Sequence, residues 1–180
     1  MRLYLMCTYS LCGADMPSWD VHVKWALRMN IPRDVANYVN SVIDCSRYEC
    51  PQDFIEFLLR EFERDVARYR VGPIISYVER KAHDISRKNK TFQVLELKFL
   101  VKYKGDLSYV KAWYLHHLLD YLGGVSSLSG KEVVRRFKER MPIELVIDGQ
   151  RFDFSQIIAD IVSFVHKNLE EVLRDVRKSP

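Results

Sequence analysis

The sequence contains no apolar run that approaches the roughly 20 residues a membrane-spanning helix needs. It also lacks internal repeats and low-complexity tracts. No Gly-rich phosphate loop, dinucleotide-binding fingerprint or Gly-x-Ser-x-Gly elbow is present, which argues against P-loop phosphoryl transfer and serine-hydrolase chemistry. These absences leave a globular protein that would need another route to any catalysis.

The chain has 180 residues, of which 48% are hydrophobic and 29% charged. Because single domains commonly run to roughly 100 to 200 residues, we predict one domain over residues 1–180. It would comprise an N-terminal arm (1–16), a motif-bearing bundle (18–124) and a C-terminal part (125–180). We expect a cytoplasmic protein without a membrane partner, because the apolar stretch after Arg2 is too short for a secretory signal core. Either Met1 or Met16 could be the initiator.

The four cysteines include no Cys-x-x-Cys, the usual ligand spacing of structural zinc sites. They form two pairs with four intervening residues each, Cys7 with Cys12 and Cys45 with Cys50. Free buried thiols, disulfides and a metal site all remain open. Disulfides stay among them because Asn and Gln are scarce beside abundant Lys, Arg and Glu. That composition is typical of hyperthermophiles, whose intracellular proteins can carry disulfides.

Apolar residues recur at three- and four-residue steps along most of the chain, which predicts an all-α helical bundle. One interruption is the pair Asp148–Gly149, which predicts a small β-hairpin near residues 143–154. A single helix is predicted from Ser155 onwards, since its apolar stripe continues to Val176. The other predicted helices cover 18–29, 32–43, 51–70, 74–88, 91–104, 106–123 and 131–140.

The predicted helix 106–123 is apolar nearly all round, so we expect it at the centre of the bundle. His116, His117 and Asp120 lie on it and therefore need partners, a change of protonation or a metal. His22 lies on the apolar face of the first helix and is expected to point inward. His166 belongs to no motif and is interpreted as structural.

The spacing of these side chains suits metal chemistry. His116 is four residues and His117 three residues before Asp120, so either can share a helix face with that carboxylate. The adjacent His83 and Asp84 are about 100° apart on a helix, so both reach one ion only at the edge between them. Imidazole and carboxylate together suit a divalent Mn, Mg, Fe, Ni, Co or Zn ion.

Four of these residues form an ordered pattern. His22, the doublet His83–Asp84 and the later Asp120 resemble the His, His-Asp, Asp signature of the HD-domain metal-dependent phosphohydrolase superfamily. The resemblance covers residues 18–124 and implies a helical bundle of HD type. It also implies that these four residues are the metal ligands.

The same resemblance implies hydrolysis of a phosphomonoester or phosphodiester in a small phosphorylated substrate, such as a nucleotide. His116 and His117 are similar to histidines with which some members bind a second metal or substrate. Asp84 would help to orient a metal-activated water, and Arg87 with Lys81 would bind the phosphate.

Two other classes of function stay open. The chain could be a catalytically inactive helical module that binds a ligand or a protein. It could also be a basic nucleic-acid-binding protein, although its formal net charge of only +4 favours an anionic partner weakly. The oligomeric state is not indicated by the sequence.

Overall fold

The computed structural model describes residues 17–45, 50–66, 90–124 and 129–178. This part is mostly helical with one two-stranded antiparallel sheet, as the apolar spacing predicted. None of the described helices is long and apolar enough to cross a bilayer. The elements are α1 (Trp19–Arg28), α2 (Arg33–Ile43), α3 (Gln52–Val66), α4 (Lys90–Phe99) with a π-helical turn (Leu100–Lys104), α5 (Leu107–Gly124), α6 (Gly130–Arg140), β1 (Glu144–Ile147), β2 (Gln150–Asp153), α7 (Ser155–Lys167) and α8 (Leu169–Lys178).

Helix α5 is the centre of the described fold. It contacts α1, α2, α6, α7 and α8. Every residue from Ala112 to Asp120 is buried, and successive helical residues point about 100° apart, so this helix is covered on all sides. The prediction of a central helix is therefore confirmed.

Helices α1 and α2 pack on each other and on α5. A short turn joins them, in which Asn30 adopts a left-handed backbone conformation with φ of 58°. The inward faces of the two helices carry Ala, Val and Ile residues and Trp25, together with two polar residues, His22 and Asn40. The packing directs both polar side chains towards α5.

The β-hairpin lies where Asp148–Gly149 predicted it. Val146 pairs with Arg151 across β1 and β2, and the turn between the strands has φ of 50° at Asp148 and 83° at Gly149. Positive φ at both central residues is what a two-residue type I′ turn requires. Strand β1 packs against α4.

The single helix predicted from Ser155 is divided at Asn168 into α7 and α8, so that prediction is wrong. The Asn168 side-chain amide donates to the carbonyl of Phe164 at 2.8 Å, and its backbone N–H donates to Val165. Asn side chains compete for helical backbone acceptors in this way, so α7 ends here. The Asn168 carbonyl then accepts the N–H of Val172 at the start of α8.

Cys45 and Cys50 form a disulfide, with Cα atoms 4.3 Å apart. Of the alternatives that the sequence left open for this pair, the structure thus has the disulfide. It joins the end of α2 to the start of α3. Cys7, Cys12, the N-terminal arm (1–16) and the predicted helix 74–88 lie outside the described residues.

Candidate metal centre

Three polar side chains meet in the core between α1 and α5. They are His22, His116 and Asp120, which are 4%, 2% and 1% exposed. His22 Nε2 lies 3.0 Å from Asp120 Oδ1, and His116 Nε2 lies 3.2 Å from Asp120 Oδ2. One buried carboxylate therefore faces two imidazoles, one through each of its oxygens.

The other ring nitrogen of each histidine meets an oxygen acceptor. His22 Nδ1 is 3.1 Å from the backbone carbonyl oxygen of Ser18, and His116 Nδ1 is 2.8 Å from Asn40 Oδ1. The Asn40 oxygen can only accept, so Nδ1 carries a proton in His116, whereas both ring nitrogens of His22 lie within hydrogen-bond distance of an oxygen acceptor. In neutral His116 the Nε2 lone pair then faces Asp120. Metal-ligating histidines show the same arrangement, since they donate their second N–H to a carbonyl or carboxylate oxygen.

The protonation of His116 also suits a metal ligand. Burial, with a smaller contribution from the charge of His22, lowers the pKa of His116 to about 4, although Asp120 and Asp44 act in the opposite direction. His116 is therefore neutral at pH 7, which is the form of imidazole that binds metals. A carboxylate that faces imidazole lone pairs is stabilised when a proton or a cation lies among them.

The distances within this group fit an ion. Ligand atoms from the three residues all lie within 4.8 Å of one another. An ion with bonds of about 2.1 Å holds adjacent ligands about 3.0 to 3.4 Å apart in octahedral or tetrahedral geometry. The two nitrogen–oxygen separations match this range. The imidazole planes are parallel to within 9°, so one ring must tilt before both nitrogens reach the same ion. The group could therefore bind a metal ion.

The structure thus brings together three of the residues singled out in the sequence. His83, Asp84, Arg87 and Lys81 lie outside the described residues. The metal, catalytic and phosphate-binding roles expected of these four residues stay predictions.

His117 is separated from this group. Its ring centroid lies 5.9 Å from that of His116, and the two residues point about 100° apart around the helix. His117 Nε2 lies 3.6 Å from Glu96 Oε2, and the same oxygen accepts the indole N–H of Trp113 at 2.9 Å. The structure therefore places His117 beside Glu96 rather than on the Asp120 face. Its role towards a second metal or a substrate stays a prediction.

Asn40 and Glu96 are two residues of these clusters that the sequence reasoning missed. Both are buried polar side chains on helix faces that are largely apolar. Asn40 follows the buried Ala36 by four residues, and Glu96 is 0% exposed between helical turns that carry Phe92 and Leu100. A search for polar residues in phase with buried apolar ones would have found both.

Comparisons with known protein families, with curated proteins and with solved structures find no match for the chain. The resemblance to the HD signature therefore depends on a few residues in order. The structure describes the first and the last of them, His22 and Asp120, which are 98 residues apart in sequence and in contact in space.

Proposed function

We propose that the chain is an HD-type metal-dependent phosphohydrolase, which hydrolyses a phosphomonoester or phosphodiester of a small substrate such as a nucleotide. The contact of His22 with Asp120 at 3.0 Å in the core carries this proposal. His22 and Asp120 are distant in sequence and have the residue types and the order of the signature. They meet in the core, where a buried charge needs a partner.

His22 and Asp120 would hold the ion together with the doublet His83–Asp84, and His116 offers one more nitrogen at the same carboxylate. The carboxylates of Asp84 and Asp120 together would balance a divalent charge, as a buried ion requires, and the imidazoles would bind it as neutral ligands. When bound, the ion supplies Lewis-acid polarisation of a phosphoryl oxygen and a water of lowered pKa.

Residues of the chain itself would orient the ligands and the water and bind the phosphate. With a metal bound, the Ser18 carbonyl and the Asn40 side chain would accept the Nδ1 protons of the two imidazoles and leave both Nε2 atoms to the ion. Asp84 would orient the attacking water. Arg87 and Lys81 would neutralise the phosphate of the substrate.

The first test is metal analysis of protein purified without a chelator. It would be followed by hydrolysis assays on p-nitrophenyl phosphate, bis-p-nitrophenyl phosphate and nucleotides, with Mn, Mg, Fe, Ni, Co and Zn in turn. We expect bound metal in stoichiometric amount and hydrolysis that depends on one of these ions. Protein that holds no metal and shows no metal-dependent hydrolysis would contradict the proposal.

Substitution of Asp120, the carboxylate that faces both imidazoles, tests where the ion is bound. Asp120→Asn keeps the size of the side chain but removes the charge that faces both imidazoles, so metal content and hydrolysis should both be lost. Asp160→Asn changes an exposed carboxylate on α7 and is the matched control, which should behave like the wild type. If Asp120→Asn keeps its metal, the ion lies elsewhere.

The other classes of function correspond to other outcomes. Metal that is retained without any turnover would favour the inactive binding module. Salt-dependent binding of nucleic acid would favour the third class. Many described basic side chains are paired with carboxylates, which reduces the charge they present to a polyanion. These pairs include Lys24–Asp175, Arg28–Glu171, Lys98–Glu61, Lys102–Asp148, Lys104–Asp53 and Arg151–Glu144.

A further inference from the structure

Asn40 is an amide side chain in the buried face of α2. It is 2% exposed, and its neighbours Val39 and Ile43 are fully buried. Asn is a poorer helix former than Leu, and a buried amide needs hydrogen-bond partners. Asn is therefore an unfavourable residue for α2 at this position unless its contact with another element is important.

That contact is made to His116. Asn40 Oδ1 accepts from His116 Nδ1 at 2.8 Å, whereas Asn40 Nδ2 makes no hydrogen bond within the described part of the chain. The hydrogen bond of the Asn40 side chain is therefore made by its amide oxygen. Since that oxygen accepts, it holds the imidazole proton on Nδ1.

The proton on Nδ1 decides what His116 presents to Asp120. With Nδ1 protonated, the Nε2 lone pair faces Asp120 Oδ2 at 3.2 Å. If the acceptor at Nδ1 were removed, the proton would be better placed on Nε2, where it could donate to that carboxylate oxygen. It would then occupy the position from which Nε2 binds an ion.

We propose that Asn40 is a positioning residue, which keeps the Nε2 lone pair of His116 available to a metal ion by holding the proton on Nδ1. This inference rests on the proposed metal-dependent function and adds to it a residue that the HD signature does not contain. The corresponding oxygen beside His22 Nδ1 is the Ser18 carbonyl at 3.1 Å, which belongs to the backbone. Asn40 is therefore the partner that mutagenesis can change.

Three variants separate the role of the oxygen from that of packing. Asn40→Leu keeps the branched shape and removes the acceptor, and Asn40→Asp keeps an acceptor. Asn37→Leu makes the same change at an exposed position of α2 and is the matched control. Binding is measured by titration with Co²⁺, whose visible absorption reports its coordination.

We expect Asn40→Leu to bind Co²⁺ about 10- to 100-fold more weakly than the wild type, the loss typical when the hydrogen-bond partner of a metal-bound histidine is removed. Asn40→Asp should bind with nearly wild-type affinity, and Asn37→Leu should not differ from the wild type. Thermal melting in the absence of metal establishes that each variant is folded.

A second measurement reports the tautomer directly. Nitrogen NMR of the His116 ring without metal should show Nδ1 protonated in the wild type and Nε2 protonated in Asn40→Leu. A purely structural role of Asn40 would change the melting temperature and leave the tautomer as it was.

The outcomes distinguish the two proposals. A wild-type protein that binds no Co²⁺ would overturn the metal function and this inference with it. A wild type that binds Co²⁺, with an Asn40→Leu variant of equal affinity and unchanged tautomer, would overturn the inference alone.

Discussion

The hydrogen bond from Trp113 to Glu96 predicts a measurable coupling in the core beside the candidate metal centre. The indole N–H lies 2.9 Å from Glu96 Oε2, and both side chains are 0% exposed. A hydrogen bond to a charged group contributes about 1.5 to 3 kcal/mol, and a buried donor left without an acceptor costs about 1 to 3 kcal/mol. We therefore expect Glu96→Leu and Trp113→Phe to interact by about 1.5 to 3 kcal/mol in a double-mutant cycle.

The assay is urea unfolding followed by circular dichroism, because the loss of an indole alters fluorescence. The two single variants and the double variant give the coupling energy as the departure from additivity. Trp19→Phe combined with Glu96→Leu is the control cycle. Trp19 donates to Asp44 at the surface and not to Glu96, so these two changes should be additive.

A coupling energy below about 0.5 kcal/mol, the usual deviation between independent sites, would refute the hydrogen bond as described. A coupling of the same size in the control cycle would also refute it, since the effect would then not be specific to the contact. Glu96→Gln refines the result. It keeps an acceptor for the indole and should destabilise the protein less than Glu96→Leu.

Two further predictions concern stability. Cys50→Ser opens a loop whose ends are 5 residues apart. The chain-entropy model assigns about 2 kcal/mol to closing such a loop. The free energy of unfolding should therefore fall by about that amount in non-reducing buffer and should not change in dithiothreitol. Lys104→Met removes an ion pair with Asp53 and a cation–π contact with Tyr38, which together contribute about 1 to 2 kcal/mol at a partly exposed site. Burial opposes the ionisation of Asp53, but the hydrogen bonds from Lys104 and Tyr38 outweigh it and lower the pKa of Asp53. The stabilisation provided by ionised Asp53 is therefore fully present above the ordinary pKa of 3.8 and is lost as the pH falls through the lower pKa of the folded state. When stability is measured against pH, Lys104→Met should show less of this loss.

Much of the helical framework could be predicted from the sequence. The apolar faces of α1, α2 and α6 follow from residues three and four apart, and the central position of α5 follows from apolar residues all round it. The hairpin could be predicted because Asp148–Gly149 accepts positive φ. These features are determined by residues that are close together in the sequence, so they can be predicted from the sequence alone.

The partners of the buried polar groups could not be predicted in the same way. The contact between Asn40 and His116 depends on how α2 is rotated and shifted against α5, and the contact between Glu96 and Trp113 depends likewise on α4. Helical spacing shows only that such a side chain faces inward. The break at Asn168 was missed because the apolar stripe continues past it on both sides.

For the candidate site, residue order predicted that His22 and Asp120 would belong together, and the structure has them in contact. Spacing allowed either His116 or His117 beside Asp120, and only the packed core decides between them. Because consecutive helical residues point about 100° apart, His116 lies beside Asp120 and His117 lies beside Glu96.

The most direct test of the metal centre is anomalous X-ray diffraction from crystals grown with a divalent transition metal. We expect one anomalous peak about 2.0 to 2.2 Å from His22 Nε2 and from an oxygen of Asp120. A map without a peak at this carboxylate, with His22 and Asp120 in direct hydrogen bonding in the presence of excess metal, would contradict it.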